Sequence, residues 1–190
     1  MFIVFEGIDG TGKSTQVQRL AEALRAQGRE VITSKEPTDG PHGKRLRDSA
    51  ETGRLSPQEE LDLFHQDRLE HVEGLIKPAL ARGQTVILDR YFFSTMAYQG
   101  VRGFDPLEIR RLNEEFAPLP DLVFILELDL ETALERIGVR DGQANQFEQR
   151  EALQKCHEVF ASLRDDFIHR IDAQKTPEEV HQDIVQHLPR

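Results

Sequence analysis

Residues 7–14, GIDGTGKS, constrain this chain more than any other segment, because they fit the phosphate-binding pattern G-x-x-x-x-G-K-[ST] at every fixed position. The apolar run at residues 1–6 is typical of a buried strand, and residues 15–27 have apolar positions at helical spacing. Between a strand and a helix, the glycines let the backbone curl so that its N–H groups point inward at a polyphosphate. In this pattern Lys13 reaches the β- and γ-phosphates, and the hydroxyl of Ser14 is a ligand for Mg²⁺. Residues 7–14, called the phosphate-binding loop below, therefore predict a site for a nucleoside triphosphate.

The chain has 190 residues, enough for one domain with a substantial core, and we expect a single domain over residues 1–190. A net charge of −10 argues against nucleic acid or an anionic membrane surface as the main partner. No apolar run approaches the roughly 20 residues that a membrane span needs. The single cysteine, Cys156, excludes an intramolecular disulfide and is typical of a reducing compartment. Since the N-terminal sequence lacks the pattern of a signal or transit peptide, we expect a cytoplasmic protein that binds small molecules.

Apolar runs alternate with helical patterns along the chain, which predicts an α/β fold with a parallel sheet flanked by helices. The predicted strands cover residues 1–6, 30–34, 85–88 and 122–128, with a short one near 167–171. The predicted helices cover residues 15–27, 43–49, 57–82, 105–116, 130–137, 149–166 and 176–187. Residues 138–146 are polar and rich in glycine and asparagine, so we expect a mobile flap at about residues 138–150.

Asp89 and Arg90 directly follow the third predicted strand, and ligands of parallel sheets bind at the carboxyl ends of the strands. A carboxylate at this place could hold Mg²⁺ through a water, and Arg90 could direct its fork of donors at the same ligand. A structural Asp–Arg pair that closes the strand is the alternative.

Phe64 and Arg68 are four residues apart, so both face the same way on the predicted helix. The aromatic ring could stack on a nucleobase while the guanidinium donates to a base carbonyl. Core packing is the alternative for Phe64, because it also continues an apolar stripe. That stripe consists of Leu61, Leu69 and Val72.

Three cations, Lys44, Arg45 and Arg47, follow the turn at residues 36–41. Such crowding of positive charge in an acidic chain predicts local phosphate binding. A solvated helix face is the alternative.

Short segments from residue 5 to residue 173 also form one combined pattern. In chain order they are FEGIDGTGKST at 5–15, Glu36-Pro37, Phe64-x-x-x-Arg68, Asp89-Arg90-Tyr91 with S-T-x-A-Y-Q-G at 94–100, Pro120-Asp121, and Ile171-Asp172-Ala173. In this combination the chain resembles the thymidylate kinases of the bacterial kind. The resemblance implies the three-layer fold of the P-loop NTPases, with a five-stranded parallel sheet of order 2-3-1-4-5.

The resemblance further implies a homodimer that transfers a phosphoryl group from ATP, with Mg²⁺, to thymidine monophosphate (dTMP). By this likeness Phe64 stacks on thymine, Arg68 bonds a thymine carbonyl and Gln99 lies close to the base. Arg47 and Arg90 hold the acceptor phosphate, Asp9 meets the 3′-hydroxyl, and Tyr98 lies against the 2′ carbon. The other residues predicted to bind dTMP are Glu36, Pro37 and Ser94. The residues predicted to bind ATP are Gly7, Ile8, Asp9, Gly10, Thr11, Gly12, Lys13, Ser14, Thr15, Arg136, and, at the adenine, Asp172 and Ala173. Ser14 and Asp89 are the predicted metal ligands.

Transfer between two phosphates requires converging cations, and it needs no strong base because a monophosphate is already ionised at neutral pH (second pKa about 6). Lys13 and Arg90 are predicted catalytic cations.

Members of the family carry a further arginine either inside the phosphate-binding loop or in the flap. Because residues 8–11 contain no arginine, Arg140 in the flap is the predicted third cation. Arg136 and Arg150 are the next candidates for this role. An exposed cation without a role is the alternative for Arg140.

Two segments depart from the family pattern. Residues 35–40, KEPTDG, replace a turn that usually resembles R-E-P-G-G-T, and Gln146 stands where an arginine is usual. The nearer alternative function is therefore a related kinase acting on another nucleotide, a deoxynucleoside or a non-nucleotide alcohol. A nucleotide-dependent switch or assembly factor is more distant, because the chain lacks the guanine-reading motif N-K-x-D.

Overall fold

The computed structural model of the chain describes residues 1–53, 55–141 and 146–189, without the side chains of residues 50, 51, 139–141 and 146–149. The described residues form a sheet of five parallel strands in the spatial order β2-β3-β1-β4-β5. The strands are β1 (Phe2–Glu6), β2 (Val31–Lys35), β3 (Thr85–Asp89), β4 (Leu122–Glu127) and β5 (Ile168–Asp172). The predicted fold class and strand order are confirmed.

The central strands β1, β3 and β4 are covered on both faces. The side chains of Phe2, Ile3, Val4 and Phe5 are all at most 1% exposed, although neighbours along a strand point to opposite faces. Strands buried in this way appear as unbroken apolar runs instead of alternating patterns, which is why the sequence revealed them.

Helices cover the two faces of the sheet. Within the described residues they are α1 (Lys13–Ala26), α2 (Pro41–Thr52), α3 (Pro57–His71), α4 (Lys77–Ala81), α5 (Phe92–Val101), α6 (Pro106–Glu114), α7 (Leu130–Asp141), α8 (Gln146–Ser162) and α9 (Pro177–Gln186). α1 packs against α9, whereas α5 packs against α3, α6 and α8. Because the right-handed crossovers from β1 and from β3 run toward opposite edges of the sheet, these two groups lie on opposite faces. None of the described helices is both long and apolar enough to cross a membrane.

Helix α5 was not predicted from the sequence. Its first residues carry no local start signal, since the N-cap residue Tyr91 makes no side-chain capping bond. The carboxylate of Glu6, at the end of β1, accepts the backbone N–H groups of Tyr91 and Ser94 at 2.8 and 3.2 Å instead. A cap supplied from 85 residues away leaves no mark in a local pattern.

The single long helix predicted for residues 57–82 is wrong in detail. The segment is α3, then a π-helical turn at Val72–Ile76, then α4. Pro78 has no N–H to donate to the carbonyl four residues earlier, and its ring clashes with that carbonyl. The helix therefore widens before the proline, where the N–H of Lys77 bonds the carbonyl of Val72.

The segments on either side of the predicted flap are more helical than expected. α7 continues to Asp141 and α8 already begins at Gln146, whereas the prediction ended one helix at residue 137 and began the next at 149. Residues 142–145 lie outside the described part of the chain, so the prediction of mobility is not tested. α8 also ends at Ser162, four residues before the predicted end at 166.

The first turn of α3 supports a stability prediction. The hydroxyl of Ser56 accepts the N–H of Glu59 at 3.3 Å, and the carboxylate of Glu59 accepts the N–H of Ser56 at 3.2 Å. We expect Ser56→Ala to lower the free energy of unfolding by about 1 kcal/mol, because the N–H of Glu59 loses its acceptor and the Glu59 carboxylate loses the hydroxyl that helps to hold it. Urea denaturation measures this change. Ser162→Ala, at the exposed carboxyl end of α8, is the control and should change stability by less than about 0.5 kcal/mol; equal effects of the two substitutions would contradict the capping role.

Candidate active site

The phosphate-binding loop joins β1 to α1 in a conformation that requires glycine. Gly7 has a φ of 132°, and a Cβ atom at this position would lie 2.6 Å from the carbonyl oxygen of Leu126. Gly12, the N-cap of α1, has a φ of 88°, which is also in the left-handed region. The loop can therefore curl over the N-terminus of α1, where backbone N–H groups and the helix dipole attract anions.

Lys13 lies across the loop and is nearly buried. Its Nζ atom donates to the carbonyl oxygens of Gly7 and Ile8, at 3.1 and 2.8 Å. Burial lowers the pKa of Lys13 to about 8, and the positive charge of Arg90 acts in the same direction, against nearby carboxylates. An incoming polyphosphate would favour the protonated form of this lysine.

The two predicted metal ligands meet. The hydroxyl of Ser14 donates to Oδ2 of Asp89 at 2.5 Å, which brings together an alcohol oxygen from α1 and a carboxylate from β3. Both are oxygen donors of the kind that Mg²⁺ prefers. Within the described residues no cluster of three or more histidine, cysteine or acidic residues could hold a metal by itself. The arrangement fits an ion shared with phosphate groups and water.

Two cavities lie side by side at the carboxyl edge of the sheet. The first, of about 320 Å³, is lined by Asp9, Gly10, Gly12, Lys13, Ser14, Thr15, Asp89 and Arg90. The second, of about 260 Å³, is lined by Asp9, Glu36, Pro37, Glu60, Phe64, Arg68, Arg90, Tyr91, Ser94, Thr95, Tyr98 and Gln99. Asp9 and Arg90 belong to both cavities, so a ligand in one touches the wall of the other.

The second cavity collects the residues that the resemblance assigns to dTMP. All of them line it except Arg47. Phe64 is half buried and stays outside the hydrophobic core, although Leu61 and Val72 of the same stripe are buried in it. Leu69, the third member of that stripe, is 47% exposed. Phe64 therefore faces a ligand-sized space, and the alternative of core packing does not describe it.

Arg68 is held rigidly at one side of this cavity with 1% of its surface exposed. Its Nε and Nη2 atoms donate to Oε2 of Glu36 at 2.8 and 2.6 Å, and Nη2 also donates to the hydroxyl of Thr95 at 3.0 Å. Nη1 donates to Oδ1 of Asn113 at 2.8 Å. These contacts use four of the five N–H groups of a guanidinium, which leaves one on Nη1 for a ligand.

Glu36 orients Arg68 through a buried network that the sequence did not reveal. Its other oxygen, Oε1, lies 3.0 Å from Nδ1 of His71, and Nε2 of the same ring lies 2.9 Å from the hydroxyl of Ser34. His71 follows Arg68 by three residues on α3, so this spacing could have suggested it. Asn113 and Thr95 come from other helices and left no such signal.

Arg90 connects the two cavities. It has a φ of 73°, which is unusual for a residue other than glycine. Its Nη2 atom donates to Oδ1 of Asp9 at 2.7 Å, and its Nη1 atom donates to the hydroxyl of Ser94 at 2.9 Å. The hydroxyl of Tyr98 donates to Oδ2 of Asp9 at 3.2 Å, and the guanidinium carbon of Arg90 lies 5.1 Å from the centre of the Tyr98 ring.

Asp9 is an ionised partner for these groups. Burial alone would raise its pKa, but the positive charges of Arg90 and Lys13 hold the pKa below its usual value. Arg90 thus pairs with the loop carboxylate of Asp9, whereas the alternative considered for this arginine was a pair with its neighbour Asp89.

Arg47 lies outside the second cavity. Its Nη1 atom donates to the carbonyl oxygens of Pro37 and Thr38 at 2.9 and 2.6 Å, and its Nη2 atom donates to Asp39 at 3.1 Å. The same turn, at residues 36–41, is also held by the carboxylate of Asp67, which accepts the N–H and the hydroxyl of Thr38 at 2.8 and 2.6 Å. The side chains of Lys44 and Arg45, the other cations of this cluster, are exposed.

The remaining residues predicted to bind ATP surround the loop. Ile8 and Thr11 are buried, and the exposed Arg136 donates from Nη1 to the carbonyl of Gly10 at 3.2 Å. At the end of β5, Asp172 is exposed and Ala173 is buried, with its N–H on the carbonyl of Glu127 at 2.8 Å. The side chain of Arg140, the predicted third cation, lies outside the described part of the chain.

Comparisons with known proteins agree on one family. A family model described as thymidylate kinase matches residues 5–184. The thymidylate kinase of Akkermansia muciniphila is 56% identical over 178 residues, which cover 94% of this chain and 86% of that protein. The thymidylate kinase of Xanthomonas campestris pv. campestris strain B100 is 50% identical over 180 residues, which cover 95% of this chain and 79% of that protein. That of Xanthomonas oryzae pv. oryzae strain PXO99A is 49% identical over the same length.

The turn beside the second cavity generates a prediction at Gly43. A Cβ atom there would lie 2.1 Å from the carbonyl oxygen of Thr38 and 2.8 Å from Oδ1 of Asp67. We expect Gly43→Ala to displace the turn and to lower the free energy of unfolding by about 1–3 kcal/mol, as measured by urea denaturation. Gly138→Ala is the control, because an added Cβ there meets nothing within 4 Å. Equal stability of the two variants would contradict the close approach at Gly43.

Proposed function

The chain belongs to the thymidylate kinase family, and we propose how its residues divide the phosphorylation of dTMP by ATP between the two cavities. The reaction is that of the family, ATP and dTMP giving ADP and thymidine diphosphate. The observation that carries the assignment is the wall shared by the two cavities, because Asp9 and Arg90 line both. Donor and acceptor phosphates bound on the two sides would meet there.

The first cavity is the proposed ATP site. The phosphate-binding loop would receive the β- and γ-phosphates against its N–H groups, and Lys13 would turn from the carbonyls of Gly7 and Ile8 to the phosphates. Ser14 and Asp89 would hold Mg²⁺, which neutralises charge on the phosphates when bound. Asp172 and Ala173, at the end of β5, would border the adenine.

The second cavity is the proposed dTMP site. Phe64 would stack on the base, and the remaining N–H of Arg68 would donate to a base carbonyl. Gln99 is 1% exposed, and within the described residues its Oε1 atom has no hydrogen-bond partner. Thymine carries an N–H group between its two carbonyls, and accepting that hydrogen would satisfy this orphaned oxygen.

The sugar and phosphate of dTMP would lie toward the shared wall. Asp9 would meet the 3′-hydroxyl, Tyr98 would lie against the 2′ carbon, and Arg90 would hold the acceptor phosphate. Arg47 stays a prediction from the sequence, since it would have to leave the carbonyls of Pro37 and Thr38 to reach that phosphate.

Charge neutralisation is the main contribution of the protein to this chemistry. The attacking oxygen belongs to an already ionised phosphate, so no side chain needs to remove a proton first. Lys13, Arg90 and Mg²⁺ would offset the repulsion between donor and acceptor while the two are held in line.

A substrate panel tests the assignment of the acceptor. With MgATP as donor, we expect kcat/KM for dTMP to exceed the values for dUMP, UMP, CMP and thymidine. Thymidine should show the lowest turnover for the affinity with which it binds, because it offers Arg90 no phosphate. Turnover of another acceptor without turnover of dTMP would refute the assignment.

A second test concerns the third cation. We propose Arg140, because the phosphate-binding loop has no arginine and residue 140 follows Arg136 by one helical turn in α7. Arg140→Ala should lower kcat roughly tenfold or more with little change in stability. Arg111→Ala is the matched control, since the exposed guanidinium of Arg111 pairs with Glu108 and Glu115. A kcat near that of the wild type for Arg140→Ala would remove this residue from the mechanism.

We also propose that the enzyme works in the cytoplasm as a homodimer. The support is the composition, the family resemblance and an apolar residue on the outer face of α3, Leu69, which is 47% exposed. Light scattering on the purified protein measures the assembly, and a monomer at micromolar concentration would contradict the dimer.

A further inference from the structure

A carboxylate that the sequence analysis did not single out lies directly behind the shared wall. Glu6 is the last residue of β1, just before the phosphate-binding loop, and is 0% exposed. Its Oε1 atom accepts the N–H groups of Tyr91 and Ser94 at 2.8 and 3.2 Å, and its Oε2 atom accepts the hydroxyl of Ser94 at 2.5 Å. Three donors therefore satisfy the hydrogen-bonding capacity that this carboxylate needs when it is buried.

The two N–H bonds place Glu6 at the start of α5. Anions are favoured there by the helix dipole and by the unsatisfied N–H groups of the first turn. Burial raises the pKa of Glu6 to about 7, against the opposing effects of the Ser94 hydrogen bond and the charge of Arg90. The groups around Glu6 that lower this pKa include the Ser94 hydroxyl, the charge of Arg90 and the N–H of Tyr91, and they favour the ionised form against burial.

The hydroxyl bond gives Glu6 a link to Arg90. Because the Ser94 hydroxyl uses its hydrogen on Glu6, its lone pairs are available as acceptors, and Nη1 of Arg90 donates to this oxygen at 2.9 Å. Asp9 fixes the other terminal nitrogen, Nη2, at 2.7 Å. Two carboxylates, one directly and one through a hydroxyl, thus determine where the guanidinium points.

We propose that Glu6 is a positioning residue that, through the Ser94 hydroxyl, aims the guanidinium of Arg90 at the acceptor phosphate. This inference rests on the proposed role of Arg90. Glu6 itself touches no substrate, so its removal should weaken the grip on phosphate and leave the recognition of the base and sugar intact.

Glu6→Gln is the first test, with dissociation constants measured for dTMP and for thymidine. The amide oxygen can still accept the two N–H groups, so the start of α5 is preserved. The amide nitrogen, however, donates to Ser94, and the hydroxyl hydrogen then turns toward Arg90. We expect the dissociation constant and KM for dTMP to rise roughly tenfold, which is the loss of one charge-assisted contact, while that for thymidine changes less than about twofold.

Ser94→Ala removes the same link from its middle and provides a second variant if Glu6→Gln does not fold. Ser94→Ala should weaken the binding of dTMP about as much as Glu6→Gln does, and it should leave the binding of thymidine nearly unchanged. The dissociation constant of the double variant for dTMP should not exceed the larger of the two single-variant values, because both substitutions break the same chain of contacts. Multiplying effects, or equal weakening of dTMP and thymidine, would overturn the proposal.

Arg90→Ala separates this proposal from the proposed function. If Arg90→Ala leaves dTMP affinity unchanged, the assignment of the acceptor phosphate to Arg90 is wrong. If it weakens dTMP selectively while Glu6→Gln and Ser94→Ala do not, only the positioning role is wrong. Glu108→Gln, on the exposed surface of α6 beside Arg111, is the matched control and should leave both dissociation constants unchanged.

Discussion

The parallel pairing of β1 with β3 is the constraint on which both cavities depend. Phe5 lies opposite Asp89 in this pair, so the phosphate-binding loop and the Asp89-Arg90 dipeptide leave the sheet side by side. The Ser14–Asp89 contact and the Asp9–Arg90 ion pair both cross this junction. A shift in register of one residue would separate these groups and turn alternate side chains to the wrong face. The chemistry of the site therefore begins with backbone hydrogen bonds in the sheet.

Two buried glutamates hold the arginines of the second cavity in place in the same physical way. Glu36 holds Arg68 with two charge-assisted hydrogen bonds, and Glu6 reaches Arg90 through the hydroxyl of Ser94. An arginine fixed in this way loses little further conformational freedom when a ligand arrives. An acidic chain, with a net charge of −10, can thereby present precise positive charge to an anionic nucleotide.

Much of the candidate site could be predicted from the sequence, because the residues proposed to touch phosphate and base lie in short motifs. Their partners could not be predicted as well. His71 has a spacing that could have suggested it, but Asn113 and Glu6 act over long separations in the chain and leave no local signal. The same reason explains the missed helix α5, whose N-terminus is capped by Glu6 from β1. Arg47 stays a prediction, since its place in a basic cluster suggests phosphate binding while its guanidinium contacts the carbonyls of the neighbouring turn in this structure.

The sequence by itself determined the fold class and the family, and the strand order followed from the family resemblance. The fold class and the family depend on short segments: apolar runs, helical spacing and a glycine-rich loop whose backbone only certain residues permit. Only the tertiary structure decided which cations converge and what holds them. Burial and hydrogen bonding between distant segments set the direction of a guanidinium, and these depend on how the strands and helices pack rather than on the order of residues within any one of them.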